Sequence, residues 1–193
     1  MRDRQSGQPL FPHAAFVALV DAYQQRLHLF VRSLVGQPEQ AFDLVQDTFY
    51  EAWRAAQTGT PPFVAAATDA ERYRWLMRAA YHNAISALRR RRLIRWEALD
   101  AIAEPATDDD PTRLSFEDLV VEGDAIGAAL ARMAPADVAC LLLRVVHGFS
   151  AAEVGQIVGA SPENIAKRLS RAKQRLRAAY LQHDAHTEER SHR

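Results

Sequence analysis

The chain has 193 residues, 48 % hydrophobic and 25 % charged, and its 24 Lys/Arg balance 24 Asp/Glu. That composition supports a folded core in one domain or two small ones. It contains no apolar run near the roughly 20 residues of a membrane span, and its start, MRDRQSGQPLFPH, lacks the apolar core of a signal peptide. Cys140, the one cysteine, sits in the apolar run VACLLL. That rules out a disulfide framework or a cysteine zinc site and reads as a buried structural thiol in a cytoplasmic protein.

The neutral total hides an uneven distribution. Residues 1–96 carry 13 Lys/Arg against 8 Asp/Glu, residues 97–124 carry 1 against 10, and residues 125–193 carry 10 against 6. Two basic blocks therefore flank an acidic connector, a pattern compatible with a nucleic-acid partner despite zero net charge.

The N-terminal block reads as helical throughout. Phe16, Leu19, Val20, Tyr23, Leu27, Phe30 and Leu34 recur at helical spacing, and Gly36 ends this first helix. Pro38 opens a second, with Leu44, Val45, Thr48, Phe49, Ala52 and Trp53 as its buried stripe. Thr58–Thr68, with one glycine and two prolines, reads as a loop. Asp69 is the expected cap of a third long helix through Tyr73, Leu76, Ala80, Asn83 or Ala84, and Leu88, running into Arg89–Arg92, Arg95 and Trp96.

The acidic stretch 97–124, with Pro105, Pro111 and Asp108–Asp110, reads as a flexible linker, and Leu114–Val121 as a helical approach to the next domain. The C-terminal block, 125–182, begins with helices over Ala125–Met133 and Pro135–Val146. The tail, 183–193, is polar and expected to fray. Its three histidines lie at no helical ligand spacing with acidic support, so no metal site is expected.

Gly148–Arg177 is the most informative stretch. Ser150 and Glu153 form a capping-box pattern, and Val154, Ile157 and Val158 give the short helix an apolar face. Gly159 and Ala160 break it. Ser161 is a strong second N-cap, with Pro162 at the first helical position. The new helix puts Ile165, Leu169, Ala172 and Leu176 on one stripe, while Glu163, Asn164, Lys167, Ser170, Arg171 and Gln174 point away. A basic outer face alone is usually just a solvated surface. Here the short partner helix, the glycine turn and the Ser-Pro start all agree on a helix-turn-helix, whose second helix reads a major groove. The chain reads as all-α: two small helical domains on an acidic tether, binding DNA.

Three segments carry a closer resemblance. AFDLVQDTFYEAWRA (41–55) resembles the second conserved region of the sigma-70 family, and RYRWLMRAAYHNAISALRRRR (72–92) resembles its promoter-melting helix. The segment from ALARMAPADV through the helix-turn-helix resembles the fourth conserved region. Having only these two regions is the mark of the extracytoplasmic-function group. The resemblance implies a sigma region 2 domain over 10–96, the linker over 97–124 and a sigma region 4 domain over 125–182. It also implies a sigma factor that binds core RNA polymerase and promoter DNA without cofactor, metal or membrane insertion, and that is often held inactive by an anti-sigma protein.

The residue roles follow from that resemblance. Asp43, Gln46, Asp47 and Glu51 would dock on the clamp helices of the largest polymerase subunit, the fourth region meeting the polymerase flap. An acidic face steers such docking more than it adds affinity. Asn83 sits where the family contacts an extruded base of the −10 element, which its donor-and-acceptor amide suits. The competing reading is a helix-interior Asn bonded to a neighbouring helix. Arg89, Arg90, Arg91 and Arg92 would bind phosphates, which position without reading sequence. Tyr73, Trp75, Tyr81 and Trp96 offer stacking rings or core, with Trp75 favoured as core.

In the last helix Glu163, Asn164, Lys167 and Arg171 would face −35 base edges. Arg168 and Arg175 would take flanking phosphates, and the Ser161 end of the helix would accept another. Three positions depart from the family: Ser86 stands for Asp, Ala134 for Leu, and Ala166 for a common Lys. The competing function is a stand-alone helix-turn-helix regulator. No phosphate loop, metal-ligand spacing or nucleophile motif points to an enzyme.

Overall fold

The computed structural model describes residues 11–100 and 125–191. Seven helices lie within them: α1 (His13–Val35), α2 (Pro38–Gln57), α3 (Asp69–Asp100), α4 (Ala125–Ala131), α5 (Pro135–Val145), α6 (Ala151–Val158) and α7 (Pro162–Ser191). No strand is present among the described residues. The expected helical approach at Leu114–Val121 lies outside them.

The punctuation of the N-terminal block is local chemistry. Gly36 takes φ 75°, a left-handed conformation that favours glycine, and its N–H donates to Arg32 O at 2.9 Å to close α1. Pro38 then starts α2, where a missing N–H costs nothing. The start of α3 differs from the sequence expectation. Its cap is Thr68, not Asp69: Glu71 N–H donates to Thr68 Oγ1 at 3.2 Å, while Glu71 Oε2 accepts from Thr68 N at 2.7 Å. Thr68-x-x-Glu71 is a capping box, and these bonds hold the Glu71 carboxyl below its ordinary pKa. Asp69 is left inside the first turn, paired with Arg72 at 2.8 Å.

Leu27, Phe30, Val31 and Leu34 of α1 pack with Ala41, Leu44 and Ala52 of α2 and Leu76, Met77, Ala80 and Ala84 of α3. The Thr58–Thr68 loop is anchored into this bundle. Phe63 is fully buried, edge-on to Phe11 at 5.9 Å and to Trp75 at 5.0 Å. Arg72 Nη2 donates to Val64 O at 3.0 Å, tying the loop to α3.

Helices α4 to α7 gather around Met133, Val138, Leu143, Val154, Ile157, Ile165, Leu169 and Ala172. The two groups do not merely share a tether. Helix α5 rests on α1 and α6 rests on α3, so both halves contribute to one continuous core. Tyr73 of α3 stacks between Tyr23 (4.6 Å) and Phe149 (5.6 Å), and its hydroxyl meets His147 Nδ1 at 2.7 Å. Beside it, Arg74 pairs with Glu153 at 3.4 Å. A partly exposed ion pair is worth about 0–1 kcal/mol, whereas burying one large apolar side chain is worth about 1.5–3 kcal/mol, so the rings hold this seam.

Both long helices outrun their sequence boundaries. Helix α3 continues to Asp100, past the expected end near Trp96, and α7 to Ser191, through the tail expected to fray. Neither extension contains a glycine or proline to stop it.

Candidate nucleic-acid interface

The helix-turn-helix is built by two caps and two glycines. Ser150 Oγ accepts from Glu153 N–H at 3.2 Å, and Glu153 Oε2 accepts from Ser150 N at 2.9 Å. The backbone bond first, then the hydroxyl bond, keeps the Glu153 carboxyl below its usual range. Gly159, at φ 75°, turns the chain out of α6. Gly155 allows the turn to fold back onto α6, because a Cβ there would sit 2.5 Å from Ala160 O. Ser161 then caps α7, its Oγ accepting from Asn164 N–H at 3.3 Å, and Pro162 opens the helix.

These caps fix what α7 presents. Ile165, Leu169 and Ala172 are buried, leaving Ser161, Glu163, Asn164, Lys167 and Arg171 exposed along one face. Arg171 bends back to place Nε 3.4 Å from Lys167 O. Arg168 and Arg175 are occupied otherwise: both reach Asp137 of α5, at 3.5 and 3.0 Å. Asp137 is a missed residue of this surface. Its position in the first turn of α5 is legible in sequence; its meeting with α7 is tertiary.

In the N-terminal block, Asn83 lies on the α2-facing side of α3. Its Nδ2 donates to Thr48 Oγ1 at 3.3 Å and to Glu51 Oε1 at 3.2 Å. The neighbour-helix bonding weighed as the competing reading is thus present, and it engages only the nitrogen. The side chains of Arg89, Arg90, Arg91 and Arg92 are exposed. Arg90 and Arg91, with Gln40 and Ala87, line an open cavity of about 320 Å³ against the start of α2.

Asp43, Gln46, Asp47 and Glu51 are all exposed on α2. At about 100° per residue, the order around the helix is Phe42, Gln46, Tyr50, Asp43, Asp47, Glu51, then buried Thr48. Glu51 thus stands at the edge nearest α3 and bonds Asn83, whereas the other three face outward. Phe42 and Tyr50 were not singled out from sequence. They are 57 % and 63 % exposed and give this acidic face two aromatic anchors. A large aromatic breaking an otherwise polar helix face is the signal that could have found them.

Tyr73 and Tyr81, offered as stacking rings, are buried, and burial raises both hydroxyl pKa values. Tyr81 lies beside Cys140 and Arg168 of the C-terminal helices. Trp75 packs against the core, and the side chain of Trp96 lies outside the described residues. Cys140 is buried, its thiol pKa raised by that burial. No cluster of His, Cys, Asp and Glu able to hold a metal occurs among the described residues, nor does a helix long and apolar enough to cross a membrane.

Two helical modules, the second containing a capped helix-turn-helix with a polar exposed face, define the class of fold. Family comparison narrows this. The model of sigma-70 region 2 matches residues 19–94, and that of sigma-70 region 4 matches residues 123–176. The chain belongs to the sigma-70 family. It is similar to the ECF RNA polymerase sigma factor SigE of Mycolicibacterium smegmatis, at 29 % identity over 171 residues. The match covers 88 % of this chain, which spans only 63 % of that relative's length. A co-crystal structure of the sigma factor RpoE with the anti-sigma factor NepR, from Bartonella quintana, shares the fold. Its TM-score is 0.62 at 22 % identity, covering 85 % of this chain and 95 % of that one.

Proposed function

We propose that this chain is a promoter-specificity subunit of bacterial RNA polymerase. It reads −35 duplex through α7 and captures unpaired −10 bases with α3. The observation that carries the reading is the exposed row Glu163, Asn164, Lys167 and Arg171 beyond the Ser161 cap, on a chain whose other module matches sigma region 2.

The N-terminal module supplies the rest. Asp43, Gln46 and Asp47, flanked by Phe42 and Tyr50, form a face suited to docking on the clamp helices of the largest polymerase subunit. The aromatics supply buried area, and the acids supply steering toward basic helices. Arg89, Arg90, Arg91 and Arg92 lie along the C-terminal half of α3, where they would follow a phosphate backbone. Asn83, bonded through its nitrogen to Thr48 and Glu51, is the residue that would meet an extruded base. The chain performs no covalent chemistry in this scheme: it opens promoter DNA by binding the separated strand more tightly than the duplex. An anti-sigma protein is a fitting partner, since the resembling structure is a complex with one.

The test is run-off transcription with core polymerase and the full chain, on a promoter lacking housekeeping elements. Stimulated initiation is expected. Tight duplex binding without any stimulation would instead establish a stand-alone helix-turn-helix regulator.

A further inference from the structure

We propose that Thr48 and Glu51 fix Asn83 as a hydrogen-bond acceptor only, so that it selects an unpaired base bearing an exocyclic amine, adenine, cytosine or guanine, over thymine. This rests on the reading of Asn83 as a −10 contact and goes further, by naming the chemistry it selects and the residues that set it.

A free asparagine amide offers two donors and one acceptor, and rotating it by half a turn exchanges them. Asn83 has lost that freedom from two sides. Glu51 is a carboxylate and can only accept, so the group 3.2 Å from its Oε1 must be the Asn83 NH2. Thr48 gives the same answer. Its hydroxyl hydrogen is committed to Leu44 O at 2.7 Å, so its oxygen meets Asn83 Nδ2, 3.3 Å away, with a lone pair. Thr48 is fully buried, which holds that arrangement rigid. Both amide hydrogens are therefore engaged within the protein. No protein donor among the described residues meets Oδ1, which is the atom left for a ligand.

The position is open in this arrangement of the modules. Arg74 and Tyr81, which face the C-terminal helices, lie roughly 180° and 160° around α3 from Asn83, at about 100° per residue. A lone carbonyl acceptor rewards an amine that projects from a base edge, N6 of adenine, N4 of cytosine or N2 of guanine. It disfavours thymine, which has no such amine and whose one ring donor, N3–H, lies between two carbonyl oxygens. Thr48 and Glu51 touch no base and act as positioning residues.

The experiment uses holoenzyme reconstituted from core polymerase and the full chain, saturating in polymerase, on promoters with a pre-opened −10 region. Each unpaired non-template adenine is replaced by purine, each cytosine by 2-pyrimidinone and each guanine by hypoxanthine, which delete only the amine. Wild type is expected to lose about fivefold in open-complex lifetime at one position, the scale of one neutral hydrogen bond. Asn83→Ala should abolish that ratio. Glu51→Lys should erase or invert it, because an ammonium can only donate and turns Oδ1 inward, presenting the NH2 to the strand. Thr48→Val, which keeps the side-chain shape, should reduce it.

The ratio between paired templates cancels any loss of docking or general stability, which a purely structural role would change without moving the ratio. A wild-type ratio near one at every position, or a ratio unchanged in Glu51→Lys, overturns the proposal. If Asn83→Ala still impairs opening in that case, the −10 contact stands and only its acceptor character falls. If Asn83→Ala opens promoters normally with an unchanged base profile, the −10 contact itself is wrong.

Discussion

The Tyr73 hydroxyl and His147 Nδ1 meet at 2.7 Å, and this bond joins the module matched by region 2 to the module matched by region 4. Phe30 lies edge-on to the imidazole at 5.6 Å, and Arg26 sits 5.9 Å over the Tyr73 ring, so α1, α3 and the end of α5 converge there. Tyr73→Phe should cost about 1 kcal/mol, the net worth of one hydrogen bond. His147→Ala should cost more, since it also leaves a void and an unpaired hydroxyl. Chemical denaturation of the single and double variants checks this: independent effects would show that the two side chains do not meet in solution.

The same histidine predicts a pH dependence. Burial, with a smaller effect of Arg26, lowers the His147 pKa from 6.5 to about 4. The folded protein thus keeps the ring neutral where the unfolded chain takes up a proton. The unfolded state binds more protons between pH 6.5 and about 4, so this contribution is complete above 6.5 and is lost as pH falls through that window. Melting temperatures at pH 7.5 and 5 should drop more for wild type than for His147→Gln. Equal drops would place the titration elsewhere.

A chain holding both promoter elements must open this seam. Elements centred at −10 and −35 lie about 25 base pairs apart, or roughly 85 Å of straight duplex at ~3.4 Å per step. Helix α6, the first helix of the helix-turn-helix, lies directly on α3. Between α3 and α4 run residues 101–124, which fully extended reach at most about 85 Å. Donor and acceptor dyes on exposed Arg78 and Gln156 positions should show high energy transfer in the free protein and low transfer once core polymerase and promoter are added. Unchanged transfer in the initiating complex would show that the modules stay together.

Asp137 sets how α7 presents its charge. Arg168 and Arg175 both pair with it. Asp137→Asn releases two guanidinium groups at a stability cost below about 1 kcal/mol, since such pairs are partly exposed. Each additional phosphate contact adds about 0.9 to the slope of log affinity against log salt, so duplex binding should become steeper by up to about 2. A slope equal to wild type would mean that both arginines already reach phosphates with Asp137 in place.

Gly155 decides the angle of the helix-turn-helix. With a Cβ 2.5 Å from a backbone oxygen, Gly155→Ala forces α6 and the turn apart, an overpacking cost of about 1–3 kcal/mol. A lowered melting temperature and weakened −35 duplex binding should appear together. Binding at wild-type strength would show that the turn adjusts without moving α7.

Much of this protein is set by short-range chemistry and is legible in its sequence. Gly36, Pro38, Pro135, Ser150 with Glu153, Gly159 and Ser161 with Pro162 place helix ends through bonds made within a few residues. The apolar stripe of Ile165, Leu169 and Ala172 fixes which face of α7 stays exposed. Even the corrected start of α3 was written in Thr68-x-x-Glu71. Other relationships depend on surfaces brought together from 30 to 80 positions apart, which no periodicity encodes. Tertiary packing alone decided that Asn83 turns its nitrogen toward Thr48 and Glu51. It also decided that Asp137 takes Arg168 and Arg175, and that Tyr73 is buried against His147 instead of left free for a base. The acidic connector announced two modules; burial of aromatic rings between α1, α3 and α5 brought them into one body.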